Sequence, residues 1–167
     1  RSLVGSEMCI RDRYKAGMNN TDVYGRVICQ IPAPTLVRAG YILPPKVEVY
    51  RSRILKKDEL VADRDCEQMI NAIDNIRKDK VLICAKSTKQ IVSLISRTKF
   101  VDELAWRGYS WMMITSKTGA IIDGEKVTRE EFFDVLNAWG KDITKRFVVL
   151  HHSILSEGIN VNGLEAV

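Results

Sequence analysis

The sequence predicts an α/β protein built around a parallel β-sheet. From residue 47 onward, short apolar segments typical of buried strands alternate with amphipathic segments that have helical spacing. Such alternation favours strand–helix–strand units with parallel strands and right-handed crossovers. Hydrophobic residues make up 46% of the 167 residues and charged residues 28%, a balance typical of globular chains and not of disordered ones.

Prolines interrupt the predicted elements at the beginning of the chain. Residues 21–31 alternate in a way that is typical of a strand, and two prolines end it. A short helix is expected over residues 35–40, with Thr35 as its cap and Gly40 as its stop. After two further prolines, the alternation within residues 41–50 predicts a second strand.

The remainder of the chain carries clearer signals. Apolar spacing, caps and glycines predict first a helix over 63–77, a buried strand over 81–85, a helix capped by Ser87 or Thr88, and a helical segment over 101–106 ended by Gly108. They then predict a strand over 110–115, a hairpin over 120–127 around Asp123 and Gly124, a helix that ends at Gly140, and a strand over 146–150. Thr128 and Glu131 have the spacing of a capping box for the last helix.

Charge and cysteine content indicate the class of partner and the redox compartment of the protein. The net charge of +5 favours an anionic partner only weakly, because 26 basic and 21 acidic residues are mixed along the chain. The four cysteines lack Cys-x-x-Cys and metal-ligand spacing, so we expect buried structural thiols and a reduced, cytoplasmic compartment. No apolar run reaches the roughly 18–20 residues of a membrane helix, and the beginning of the chain lacks a signal-peptide pattern.

The most informative segment is residues 147–161, FVVLHHSILSEGINV, a buried strand followed by a polar turn. Open α/β sheets place ligands at the carboxyl ends of parallel strands, and a glycine there lets the backbone approach a phosphate. The segment resembles motif V of superfamily 2 ATP-dependent helicases, a strand followed by Thr-x-x-x-x-Glu/Arg-Gly-Ile-Asp/Asn. The resemblance implies ATP contacts by Glu157, Gly158 and Asn160, and nucleic-acid contacts by His152, Ser153 and Ser156. His152 replaces the family's threonine, so it either bonds a phosphate or serves as a spacer.

Residues 81–90 resemble motif IV of the same family. The loop with Lys86, Ser87 and Thr88 combines a positive charge, two hydroxyls and a helix N-terminus, which together suit a phosphate. An ordinary capped helix explains these residues equally well. Thr115, Ser116 and Lys117, at the end of the next strand, offer the same chemistry with less support.

Other residue types suggest structural roles. We expect the three tryptophans, Trp106, Trp111 and Trp139, and the strand residue Cys84 to pack in the core. His151 and its neighbour in sequence would point to opposite faces of a strand, so we expect no metal site.

The resemblance also divides the chain. Residues 1–13 resemble a translated sequencing-adapter tail and are interpreted as non-native, an ordinary N-terminal arm being the alternative. Residues 14–49, with their strand, short helix, glycine and Leu-Pro-Pro order, are interpreted as the end of a first RecA-like lobe and a crossover linker. Residues 50–167 are interpreted as a second RecA-like lobe, incomplete at its C-terminus.

The resulting hypothesis is a fragment of an ATP-dependent helicase or translocase from a bacterial or phage-infected cell. The resemblance, which extends to helicases of tailed bacteriophages, implies DNA more than RNA as partner. It also implies ATP and Mg²⁺ as cofactors, bound mainly by first-lobe motifs that these residues lack. We therefore expect no catalytic residue in the fragment and no ATP hydrolysis by it alone. A non-catalytic nucleic-acid clamp and an unrelated α/β nucleotide-binding enzyme are the alternatives.

Overall fold

The computed structural model describes residues 25–26, 28–42, 44, 46–152 and 162–167. The chain divides into two units between Ser52 and Arg53. None of the helices among the described residues is long and apolar enough to span a membrane.

The described part of the first unit contains one short helix, α1, at Ala33–Arg38. Gly40, with φ +75°, follows it as predicted, but Pro32 is the N-cap and Thr35 lies inside the helix. The predicted strand over 41–50 is wrong for its described residues, which have no strand structure. Val47 and Val49 are 77% and 86% exposed, so their alternation does not mark a half-buried strand face. The strand predicted over 21–31 lies partly outside the described residues, and residues 28–31 carry none of it.

The second unit is an α/β domain with a five-stranded mixed sheet in the order β1-β5-β2-β3-β4. Its elements are α2 Val61–Ile76, β1 Lys80–Cys84, α3 Thr88–Arg97, α4 Phe100–Trp106, β2 Ser110–Thr115, β3 Gly119–Ile122, β4 Glu125–Val127, α5 Arg129–Lys141 and β5 Phe147–His151. The predicted helices and strands of this unit are confirmed, with ends displaced by one or two residues.

The predicted parallel sheet is confirmed for three of the five strands. Strands β1, β5 and β2 are parallel, whereas β3 and β4 pair antiparallel with β2 and with each other. The turn at Asp123 and Gly124 is too short for a crossover, and a short turn can join only antiparallel strands.

Helices cover both faces of the sheet. Val81, Met113 and Val148 point to the face covered by α2, α3 and α4, and their sequence neighbours Leu82, Met112 and Val149 point to the face covered by α5. This alternation follows from the two-residue period of a strand. The parallel strands are thus buried on both faces, as their continuous apolar runs predict.

Two glycines that were predicted to end helices have different roles. Gly108 adopts φ +75° after α4, as predicted. Gly140 does not end α5, which continues to Lys141. A Cβ at Gly140 would overlap the carbonyl oxygen of Asn162, so this glycine allows a close backbone approach inside the helix.

The last described residues form an additional edge beside β1. Ala166 makes a parallel bridge with Val81, and its carbonyl accepts a hydrogen bond from Leu82 N at 2.9 Å. Buried Lys80 donates from Nζ to the carbonyl of Gly140 at 2.6 Å, near the negative end of the α5 dipole. Strand β1 is therefore flanked by β5 on one side and by Ala166 on the other.

Candidate functional site

Three parallel strands end at the same edge of the sheet. Their last residues are Cys84 of β1, His151 of β5 and Thr115 of β2. The chain leaves β1 through α3 and α4 on one face toward β2, and after β5 it reaches Ala166 on the far side of β1. The strand that follows β1 and the bridge residue Ala166 that follows β5 thus lie on opposite sides of the β1–β5 pair. In open α/β sheets ligands bind in the crevice beside such a switch point.

Two hydrogen bonds join the carboxyl ends of β1 and β5. Ala85 N donates to the carbonyl of His151 at 2.8 Å, and the half-buried ring of His152 lies with Nδ1 3.1 Å from the carbonyl of Ala85. Because a carbonyl only accepts, Nδ1 carries the proton in this contact. His152 therefore joins the two strand ends, and its contact with a phosphate stays a prediction.

The loop after β1 is shaped by the first turn of α3. Ser87 Oγ accepts from Gln90 N at 3.2 Å, which confirms Ser87 and not Thr88 as the cap. Lys86 N donates to Gln90 Oε1 at 2.9 Å, so the same side chain bonds back to the loop. Lys86 is exposed, whereas Ser87 and Thr88 are half-buried.

Gln90 is not among the predicted site residues, although the sequence carries a signal for it. Ser87 and Gln90 have the Ser-x-x-Gln spacing of a capping box, in which the last residue bonds back to a backbone N–H. Here that N–H belongs to Lys86, one residue before the cap. Gln90 Nε2 also donates to Asp65 Oδ2 at 2.8 Å, a contact with α2 that the local spacing does not predict.

Thr115 does not lie on the surface beside this loop. It is 2% exposed, its Oγ1 lies 2.6 Å from Thr118 Oγ1, and it accepts from Thr118 N at 3.0 Å. The hydroxyl thus organises the turn between β2 and β3.

Apart from His152, the predicted motif V contacts lie outside the described residues. They are Ser153, Ser156, Glu157, Gly158 and Asn160. Their assignment stays a prediction.

The expected core positions are confirmed for two tryptophans. Trp111 is buried, and the Trp139 ring packs 5.9 Å from the Phe147 ring. The expectation is wrong for Trp106, which is 82% exposed at the last residue of α4 and has the Arg107 guanidinium 5.1 Å from its ring centre. An apolar residue at a helix end need not face the sheet.

The expectation of buried cysteines is also wrong in part. Cys84 and Cys29 are exposed, whereas Cys66 is half-buried and Cys9 lies outside the described residues. Cys84 is the last residue of β1, and Ala85, which follows it, is again buried.

Exposed Lys86 contributes positive charge to this edge. Burial lowers the pKa of His151, and the adjacent His152 lowers it further, so His151 is uncharged at neutral pH. Among the described residues, no group of three His, Cys, Asp or Glu side chains could hold a metal ion. The described edge is therefore suited to hydrogen bonding and to electrostatic attraction of anions.

No protein-family model, curated protein or solved structure matches this chain.

Proposed function

We propose that this chain supplies the nucleic-acid-binding, RecA-like second lobe of an ATP-dependent helicase or translocase of superfamily 2. The observation that carries the proposal is the contact between the carboxyl ends of β1 and β5. There the contact between His152 and Ala85 brings the loop with Lys86 beside the beginning of the segment that resembles motif V. The two segments that resemble helicase motifs thus begin at adjacent strands of one sheet.

The chemistry of the first loop suits a phosphate group. Lys86 supplies a positive charge, and the amino end of α3 presents backbone N–H groups with the positive end of the helix dipole. Ser87 and Thr88 add short hydroxyl groups. Contacts of this type position a nucleic-acid backbone without reading its sequence.

The segment after β5 links this surface to ATP in the proposal. Glu157, Gly158 and Asn160 would contact the nucleotide, while His152, Ser153 and Ser156 would contact the nucleic acid. One short segment that bonds both ligands would convert nucleotide-dependent movement into movement of the bound strand. The described residues do not fit a Mg²⁺ site, so no step of the proposal passes through a metal ion.

The catalytic groups for phosphoryl transfer would lie on the other lobe and on further residues of the second. Hydrolysis needs phosphate clamps and an arginine contributed across the cleft. The 167-residue chain is therefore expected to bind nucleic acid without hydrolysing ATP. ATP turnover by the purified chain above the buffer rate would contradict this division of labour.

Charge reversal tests the binding surface. Lys86→Glu should weaken binding of a fluorescein-labelled single-stranded oligonucleotide by about tenfold or more, since it replaces a phosphate contact by repulsion. Lys126→Glu, on exposed β4, is the matched control and should change the affinity little. Fluorescence anisotropy measures both. Equal affinities for Lys86→Glu and wild type would overturn the proposed surface.

A further inference from the structure

We infer that a nucleic-acid strand bound at Lys86 continues along the groove between α2 and α3 as far as Arg97, with Lys89 and Arg97 as additional phosphate contacts. The inference rests on the proposed function, because Lys86 belongs to both the loop and the groove. It assigns a path to the bound strand and adds two phosphate contacts that the motif resemblance does not include.

The groove is a continuation of the loop surface. It encloses about 350 Å³ and is bounded on one side by the first turn of α2 and on the other by the length of α3. Lys86, Lys89 and Arg97 line it and are exposed. A ten-residue helix is about 15 Å long, so the positive charges extend over the distance of several phosphates and are not confined to a point.

Electrostatic features keep the groove favourable for an anion. Its one acidic lining residue, Asp65, forms a salt bridge with Arg64 at 3.0 Å and accepts from Gln90 Nε2. The carboxyl end of α3 carries the negative end of the helix dipole, and Arg97 in the last turn offsets it. A polyanion therefore meets positive charge from one end of α3 to the other.

The lining favours the phosphate backbone over the bases. None of the described residues that line the groove is aromatic, so stacking cannot supply the binding energy. Leu60 and Val61 form an aliphatic wall that is about half exposed and can contact sugars. Binding along the groove should accordingly be independent of sequence and strongly dependent on salt.

The aliphatic wall is held in place from the start of the second unit. Arg53 donates to Glu59 at 2.5 Å and also pairs with Glu67 of α2. This bridge fixes the segment before α2, and with it Leu60, against the helix. The groove thus has two structurally fixed walls.

Neutral substitutions in the whole chain test the path. The affinity for a fluorescein-labelled single-stranded oligonucleotide is measured between about 50 and 200 mM salt. Lys89→Gln and Arg97→Gln should each lower the slope of log affinity against log salt by about 0.7, the value for one lost single-strand phosphate contact. Lys126→Gln is the control and should leave the slope unchanged.

Lys86→Gln separates this inference from the proposed function. A lower slope for Lys86→Gln with unchanged slopes for Lys89→Gln and Arg97→Gln would overturn the groove path and support the loop site alone. Unchanged slopes for all three would overturn both. Binding of a poly-glutamate peptide tests the alternative that the groove takes an acidic protein segment. If Arg97→Gln weakened binding of that peptide and not of the oligonucleotide, the groove would be a site for acidic protein segments and the inference would be wrong.

Discussion

Gln90 Nε2 donates a hydrogen bond of 2.8 Å to Asp65 Oδ2 and so joins α3 to α2. The Oε1 atom of the same amide accepts from Lys86 N at 2.9 Å. One side chain therefore fixes the loop after β1 relative to both helices that border the groove. The position of the proposed phosphate-binding loop depends on this amide, although Gln90 itself need not contact the ligand.

Gln90→Leu should separate the loop from α2. The change keeps a similar side-chain size but removes both hydrogen bonds, so the free energy of unfolding should fall by about 1–2 kcal/mol. Affinity for single-stranded nucleic acid should fall several-fold because the loop loses its fixed position. Urea unfolding and fluorescence anisotropy measure the two effects. Asn137→Ala on the exposed face of α5 is the control, and equal affinity for Gln90→Leu and Asn137→Ala would contradict the positioning role.

Two helix caps provide a matched pair. Ser87 Oγ accepts from Gln90 N at 3.2 Å, and Thr128 Oγ1 accepts from Glu131 N at 3.1 Å. Ser87→Ala and Thr128→Ala should each destabilise the fold by about 1 kcal/mol, the usual contribution of a capping hydroxyl. Ser87→Ala alone should weaken nucleic-acid binding, because only α3 begins at the proposed site. A parallel loss of affinity in both variants would mean that the effect arises from stability.

Gly140→Ala should destabilise the protein. Inside an exposed helix the same change is favourable by about 0.5–1 kcal/mol, because glycine has greater freedom in the unfolded chain. Here the new methyl group would overlap the carbonyl oxygen of Asn162, and relief of such overpacking costs about 1–3 kcal/mol. Thermal and urea unfolding reveal the sign. A more stable Gly140→Ala variant would show that residues 162–167 do not pack on α5 as described.

His151 should make stability depend on pH. Its pKa in the folded protein lies below the ordinary value of about 6.5, because burial and the adjacent His152 disfavour the charged form. As the pH falls below about 6.5, the unfolded chain takes up the proton first, so the free energy of unfolding decreases by at most about 1.4 kcal/mol per pH unit. His151→Asn should remove this contribution between about pH 7 and pH 5. Identical profiles for wild type and variant would contradict it.

Local signals were sufficient to predict most elements of the second unit. The cap at Thr128, the stop at Gly108 and the apolar run of β5 each depend on neighbours in sequence, and each has the expected structure. Features that depend on distant residues were not predictable in this way. Gly140 faces a carbonyl 22 positions away (162 − 140), and the side chain of Gln90 reaches 25 positions back to Asp65 (90 − 65).

In the candidate site, too, features set by neighbouring residues were predictable and features set by packing were not. The spacing of Ser87 and Gln90 predicts a capped helix, and the ends of the predicted strands indicate which edge carries the loops. The spacing of residues does not reveal that Thr115 bonds Thr118 within its own turn, or that Cys84 is exposed at the end of β1. Both features depend on the packing of the folded chain.

The central claim is that nucleic acid binds at the carboxyl edge of β1 and β5. The most direct test measures amide chemical shifts of the ¹⁵N-labelled chain during titration with a single-stranded oligonucleotide. The account predicts the largest shifts at Ala85, Lys86 and His152, and small shifts at Lys126. The opposite edge of the sheet is an alternative binding surface for nucleic acid, because Arg107 and Arg146 both lie there. Largest shifts around these arginines, with little change at Lys86, would contradict the account.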